Sequence, residues 1–341
     1  MGFFKPLEDY LRGRHASQIG DKLEHLQKED PPEIIKNCSQ VSGFRPESFE
    51  QYIGQERAKD LLTSFIEQIK KREITFPHLL ISGSTGTGKT TLAKIVSKQL
   101  NKNFIEVIAS SMNLGIDISM FEELDGGVLF MDEIHALKRS ICERWYPIME
   151  DFSISAEEQI TPFTMIGATT ELGEIKRNRR PFYDRFKLKI ELEDYKEADI
   201  RKIIKQYAEK VFPKDKVDSK TIEAVARNSR MSPRMAISLL ESSIYLGNDI
   251  KKALDNLKII GRGLTDKDLK VLDFLNRNKN GIGEKTISSY LGTSIMNYKQ
   301  ESEIYLLKNN YLVVGDKGRK ITEEGIKVLN YLKRQERSKR G

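Results

Sequence analysis

Residues Gly83-Ser84-Thr85-Gly86-Thr87-Gly88-Lys89-Thr90-Thr91 spell G-x-x-x-x-G-K-[ST], and few short stretches constrain a fold so tightly. Glycines at 83, 86 and 88 let the backbone curl with its N–H groups turned inward, free of Cβ interference. Such a loop serves phosphate when it joins a buried strand to a helix, because the helix N-terminus then faces the anion. Both flanks fit. His78-Leu79-Leu80-Ile81-Ser82 reads as a short buried strand, and Thr91-Leu92-Ala93-Lys94-Ile95-Val96 has helical spacing. The spacing assigns Lys89 to β- and γ-phosphates and the Thr90 hydroxyl to Mg²⁺. A glycine-rich turn matching by chance would not carry both flanks.

Strand-like runs recur downstream at Phe104–Ile108, Val128–Met131, Phe163–Ala168 and Leu188–Leu192, separated by helical stretches. Before the loop, Ala58, Leu61, Leu62, Phe65, Ile66 and Ile69 mark one face of a further helix. Alternation of this kind predicts an α/β fold with a doubly wound parallel sheet, in which ligands bind at the carboxyl ends of the strands. The phosphate loop, Asp132-Glu133 and Thr170 all fall at such ends. An Asp-Glu pair after an apolar strand, downstream of a phosphate loop, is the second half of an ATPase site. Asp132 is expected to hold Mg²⁺ through water, and Glu133 to orient and deprotonate the attacking water. His135 reads as a structural histidine rather than a metal ligand.

Residues 194–262 read as a small all-α lid domain, its third helix starting at Ser232-Pro233-Arg234. Residues 263–332 read as three helices and a hairpin turning at Gly315-Asp316-Lys317-Gly318, the pattern of a winged helix. The nucleotide domain then occupies 41–193. An arm of short amphipathic helices precedes it over 1–40, and 333–341 is a basic, frayed tail.

Composition bounds the rest. The 341 residues leave room for about two or three domains. No apolar run nears the ~20 residues of a membrane span, and the start has no apolar core of a secretory signal. Cys38 and Cys142 lie far apart without metal-ligand spacing and are expected to be free thiols in a cytoplasmic protein. A net charge of +7 permits a polyanionic partner without requiring one.

At this point the sequence resembles the AAA+ ATPases and, within them, the RuvB family of Holliday-junction branch-migration motors. The resemblance rests on Phe44-Arg45-Pro46, Tyr52-Ile53-Gly54-Gln55-Glu56, the loop at 83–91 and the run Val128 to His135. It continues through Tyr146 to Phe152, Pro162 to Thr170, Asp184-Arg185-Phe186 and Pro233-Arg234, and it spans roughly 41–332. It implies ATP and Mg²⁺ as cofactors, DNA as substrate and a homo-oligomeric, hexameric ring. It also implies site roles. Thr170 resembles sensor 1, Arg185 an arginine finger reaching a neighbouring subunit, and Arg234 sensor 2. Phe44, Arg45 and Tyr195, with Glu150, Asp151 and Phe152, match positions that bind nucleotide, and Thr91 follows the Mg²⁺-binding Thr90. Lys317 and Arg319 resemble the DNA-contacting wing, although Val314 stands where the family has another arginine.

Two stretches depart from the family. The family's long hairpin after Met149-Glu150-Asp151-Phe152, which engages its junction-binding partner RuvA, is here reduced to Ser153 to Pro162. Residues 176–180 are basic where the family is small and apolar. The expected function is an ATP-dependent DNA motor. A clamp-loader-like or target-selecting switch, and an ATP-gated DNA-binding adaptor with little turnover, are the alternatives. A winged helix used for protein contact is the alternative for the last domain.

Overall fold

The computed structural model describes residues 43–114, 118–155 and 157–340. The arm expected over 1–40, and Cys38 in it, lie outside the described residues. The chain divides into Met1–Phe44 and Arg45–Gly341, and the regular elements among the described residues belong to the second unit.

Five strands, β1 (Leu79–Ser82), β2 (Phe104–Ile108), β3 (Val128–Asp132), β4 (Thr164–Thr169) and β5 (Leu188–Glu191), pair in parallel in the order β2-β3-β4-β1-β5. Burial follows that order. The inner strands β1, β3 and β4 are buried through all their apolar residues, whereas edge strand β5 alternates buried and exposed. A parallel sheet covered on both faces needs apolar side chains on both, which is why Val128-Leu129-Phe130-Met131 shows no alternation. Leu129 and Met131 enter the core on one face, Val128 and Phe130 the core on the other.

The covering helices are α1 (Glu56–Arg72), α2 (Lys89–Leu100), α3 (Ser119–Leu124), α4 (Arg139–Glu150), α5 (Leu172–Asn178) and α6 (Arg180–Arg185). On α1 the buried stripe is narrower than the sequence suggested. Ala58, Leu62, Ile66 and Ile69 are buried, but Leu61 and Phe65 stay 39 % and 37 % exposed. Phe65 instead lines a cleft at the amino ends of the strands. Cys142 is buried on α4 as a free thiol, and burial pushes it up to about 11.

The lid is α7 (Glu197–Val211), α8 (Ser219–Asn228), α9 (Pro233–Tyr245) and α10 (Ile250–Asn256). Side chains of Asp218, Ser232 and Asp249 cap the last three. The helical pattern expected up to Arg262 stops at Asn256. A hairpin of β6 (Ile259–Gly261) and β7 (Leu264–Thr265) follows, turning on Arg262 and Gly263, both at positive φ. Arg-Gly is an unusual filling for such a two-residue turn, and Asn-Gly would have signalled it.

The winged helix comprises α11 (Asp266–Arg277), α12 (Glu284–Leu291), α13 (Ile295–Tyr298), a π-helical turn at Lys299–Glu303, α14 (Ile304–Lys308), the wing strands β8 (Leu312–Gly315) and β9 (Gly318–Ile321), and α15 (Glu323–Arg340). The sequence predicts a frayed tail over 333–341. Residues to Arg340 continue a helix whose Val328, Leu329 and Leu332 fill the domain core. Gly325 hides this helix from a sequence reading, yet a Cβ there would stand 2.1 Å from the Tyr311 carbonyl oxygen.

Candidate nucleotide site

The phosphate loop runs from the carboxyl end of β1 into α2. Gly88 is the N-cap of α2, at φ 94, and supplies no side-chain cap. The first-turn amides of a helix have no partner within it, so an uncapped helix end is left open to an anion. Lys89 is buried, and its ammonium donates to the Gly83 and Ser84 carbonyls at 3.0 Å each. Burial lowers its pKa, while the carboxylates of Glu133 and Asp132 raise it and Arg234 lowers it again. Lys89 thus sits in the field of the three other charged groups that the sequence assigned to the site.

Two tyrosines brace the loop from behind. Tyr52 donates its hydroxyl to the Thr87 and Gly88 carbonyls at 3.2 and 3.3 Å, and Tyr195 to Thr87 at 3.3 Å. Tyr195 was expected here. Tyr52 belongs to the run Tyr52-Ile53-Gly54-Gln55-Glu56, and nothing in its spacing marks it as a loop contact. Arg45 is exposed at the start of this unit, and Phe44 closes the other one.

At the end of β3, Asp132 accepts from the Glu133 amide at 2.9 Å. Glu133 follows at φ 51, a left-handed conformation that turns its carboxylate across the strand ends. Thr170, just beyond β4, donates to Glu133 Oε2 at 3.4 Å. The donor set of one hydroxyl (Thr90) and one carboxylate (Asp132) suits a hard divalent cation that keeps several waters.

The lid reaches the loop through the first residues of α9. A Cβ on Gly86, at φ 79, would lie 2.7 Å from Ser232 Oγ and 3.3 Å from Arg234 Cβ. Glycine is therefore needed for conformation and for room together. A lid helix that begins on the phosphate loop places the chain in the AAA+ class of P-loop ATPases.

Other sequence-assigned residues lie elsewhere. Glu150 and Phe152 share a cleft of about 830 Å³ with Arg185 and with Phe76, His78 and Phe163, at the amino ends of β1, β4 and β5. The phosphate loop is at the carboxyl ends. Strands of this length separate the two ends by about 13–20 Å. Within a single chain Glu150 and Phe152, which the sequence assigns with Asp151 to the nucleotide, therefore lie away from the phosphate loop. Arg185 is in the same position. Its guanidinium lies 3.8 Å from the Tyr146 ring centroid and donates to Glu150 at 3.0 Å and to the Pro181 carbonyl at 2.7 Å. Its Nε is buried without a partner among the described residues.

In the basic run 176–180, Arg179 turns inward to Glu174, Arg180 pairs with Asp184, and Lys176 lies over the Tyr183 ring. The short segment after α4 forms a small hairpin bridged at Ser153 and Gln159, and Ile154 and Ile160 pack back against the core.

On the wing, Lys317 is exposed at the turn, with Lys320 exposed two residues past Gly318. Arg319 is different. Its side chain is 13 % exposed and grips Glu303 at 2.5 Å and Glu284 at 2.6 Å. Reaching a phosphate would require giving up both carboxylates. The domain also touches the nucleotide site directly. Lys308, on α14, donates to Ser84 Oγ of the phosphate loop at 3.0 Å and to Asp194 at 2.6 Å. No sequence signal marks Lys308, since its partners are more than a hundred residues away.

Comparison with known proteins agrees with this arrangement. The family model of the Holliday junction DNA helicase RuvB P-loop domain matches residues 44–192. That of the RuvB C-terminal winged helix domain matches 261–330. A protein of Phytoplasma mali named Holliday junction branch migration complex subunit RuvB is 36 % identical, over 84 % of this chain and 92 % of its own. Its namesake in Sulfurimonas denitrificans is 35 % identical, over 91 % and 95 %. The solved Thermotoga maritima RuvB Holliday junction branch migration motor superposes with a TM-score of 0.72 at 29 % identity, covering 84 % of this chain and 98 % of that one. The chain belongs to the RuvB family.

Proposed function

We propose that this protein is an ATP-driven motor that moves four-way or related branched DNA, working as a hexameric ring in the cytoplasm. The observation that carries the reading is the Lys308 contact, through which the winged helix touches the phosphate loop itself. A change at the loop then has a direct path to the domain that would hold DNA. The relatives' names, each a branch-migration subunit, favour the motor over a switch or a low-turnover adaptor. Among the described residues no helix is long and apolar enough to cross a membrane.

The site residues divide the chemistry. Loop amides, Lys89 and Thr91 bind the phosphates of ATP. Thr90 and Asp132 hold Mg²⁺, which neutralises phosphate charge when bound. Glu133 orients and deprotonates the attacking water, Thr170 fixes it from the neighbouring strand end, and Arg234 reads the γ-phosphate from the lid. Arg45 and Tyr195 line the nucleotide. Arg185 neutralises transition-state charge in the adjacent subunit's site, with Glu150, Asp151 and Phe152 beside it on the same interface. Its place at the far end of the sheet supports a trans role, because its own loop is out of reach. Mixing Arg185→Ala with Lys89→Ala subunits should restore part of the ATPase lost by each alone, since one mixed interface keeps both parts intact. No recovery at any ratio, with mixed rings demonstrated, would make Arg185 a structural residue.

ATPase measured with and without four-way junction DNA tests the reading as a whole. Junction DNA should raise turnover. Changing Lys317 and Lys320 to Ala should reduce that stimulation, leave the DNA-free rate alone, and flatten the slope of log K against log[salt] by about 0.9 per lost phosphate contact on duplex. Unchanged turnover on adding junction, with DNA bound, would sink the motor. The shortened 153–162 hairpin, its isoleucines turned inward, offers little for a RuvA-like partner to grip. Any such partner docks elsewhere.

A further inference from the structure

His135 stands where two strand ends meet. It follows β3, yet its ring Nδ1 hydrogen-bonds Thr169 Oγ1, the last residue of β4, at 3.2 Å. The same nitrogen lies 3.2 Å from Glu133 Oε2. Its Nε2 faces Glu171 Oε1 at 3.9 Å, and Thr169 Oγ1 also accepts the Glu171 amide at 2.9 Å. The imidazole is only 13 % exposed. Carboxylate oxygens accept and never donate. A ring nitrogen this close to Glu133 therefore stabilises the carboxylate only with its proton on Nδ1, and the same N–H points between the carboxylate and the Thr169 hydroxyl.

We propose that His135 is a positioning residue for the hydrolytic water, resting on the assignment of Glu133 as the base. Glu133 leaves β3 at φ 51 and its side chain is 42 % exposed, so its own backbone and packing leave it free to swing. Thr170 holds its Oε2 from one side at 3.4 Å, and His135 Nδ1 holds the same oxygen from the other. Through Thr169, the imidazole ties this oxygen to the end of β4, the strand that leads directly into Thr170. The base and the sensing threonine then move as one piece. The other carboxylate oxygen, Oε1, is left to the water.

Steady-state ATPase of three substitutions tests this. His135→Ala should lower kcat about tenfold, the scale of a base displaced by less than 1 Å, with KM and nucleotide affinity unchanged. Asn places its amide nitrogen near Nδ1, whereas Gln reaches toward Nε2. His135→Asn should therefore recover kcat to within about threefold of wild type, on the same geometric ground, and His135→Gln should not. A purely structural histidine would move stability and KM with kcat and would show no difference between Asn and Gln. A kcat within twofold of wild type for His135→Ala, or equal rescue by Gln, overturns the proposal. Glu133→Gln in the same assay separates the failures. If it turns over normally, the base assignment falls and this inference with it. If it is inactive while His135→Ala is not, this inference alone falls.

Discussion

Glu133→Gln should bind ATP and Mg²⁺ as the wild type does and lose about 10²- to 10⁴-fold in turnover, the usual contribution of a general base. The amide is nearly isosteric, so the contacts to Thr170 and His135 survive and the strand ends keep their shape. What disappears is the carboxylate proposed to take the proton of the water. Lys89→Ala should behave in the opposite way. Removing a buried ammonium that touches the Gly83 and Ser84 carbonyls and is proposed to bind the phosphates should weaken ATP binding by roughly tenfold to a hundredfold, the value of one or two charge-assisted hydrogen bonds. Nucleotide titration and turnover, measured on both proteins, separate the two effects. Near-normal turnover of Glu133→Gln would remove the base from this position, and unchanged ATP affinity of Lys89→Ala would mean that the loop binds through its amides alone.

Arg230→Ala is the second large effect. Arg230 lies in the turn after α8 at φ 55, two residues before Ser232 meets the phosphate loop. Its guanidinium donates to the Gly263 carbonyl at 2.6 Å, to the Glu301 carbonyl and to Asp268, and it stacks 4.5 Å from the Tyr305 ring centroid. All four partners lie beyond α10, in the hairpin and the winged helix. Asp268 is fully buried and also accepts from Thr265 in a capping box. A buried pair need not add net stability, but removing one partner strands the other charge, at about 3–5 kcal/mol. Denaturant unfolding should report a loss of that size, and Arg230→Ala combined with Asp268→Asn should recover part of it, because the stranded charge is gone. An unchanged midpoint for Arg230→Ala would show that the lid and the winged helix do not depend on this clamp.

Much of the site was legible because its parts are local. A strand, a glycine-rich turn and a helix that follow one another in the chain write their backbone geometry into contiguous residues. Val128 to Glu133 likewise encodes a buried strand and its carboxylates in one run. The lid and the wing were visible through periodicity. The misses have physical causes. α15 opens on Glu323-Glu324-Gly325, where glycine is present for lack of space and not for a turn. The β6–β7 turn uses Arg262 at positive φ, which no propensity favours.

The sequence by itself determined the class of chemistry, since the phosphate loop and Asp132-Glu133 need only short-range order to be recognised. Tertiary structure decided which charges are available to do it. Arg185, Arg230 and Arg319 are one residue type, and nothing in their local sequence shows which carboxylates they meet. One lies at the strand ends opposite the loop beside Glu150, one clamps Asp268, and one is held by Glu284 and Glu303. Those fates depend on carboxylates 35, 38, and 16 and 35 residues away. Packing brings such partners together only after every intervening element has found its place, and no local pattern carries that information.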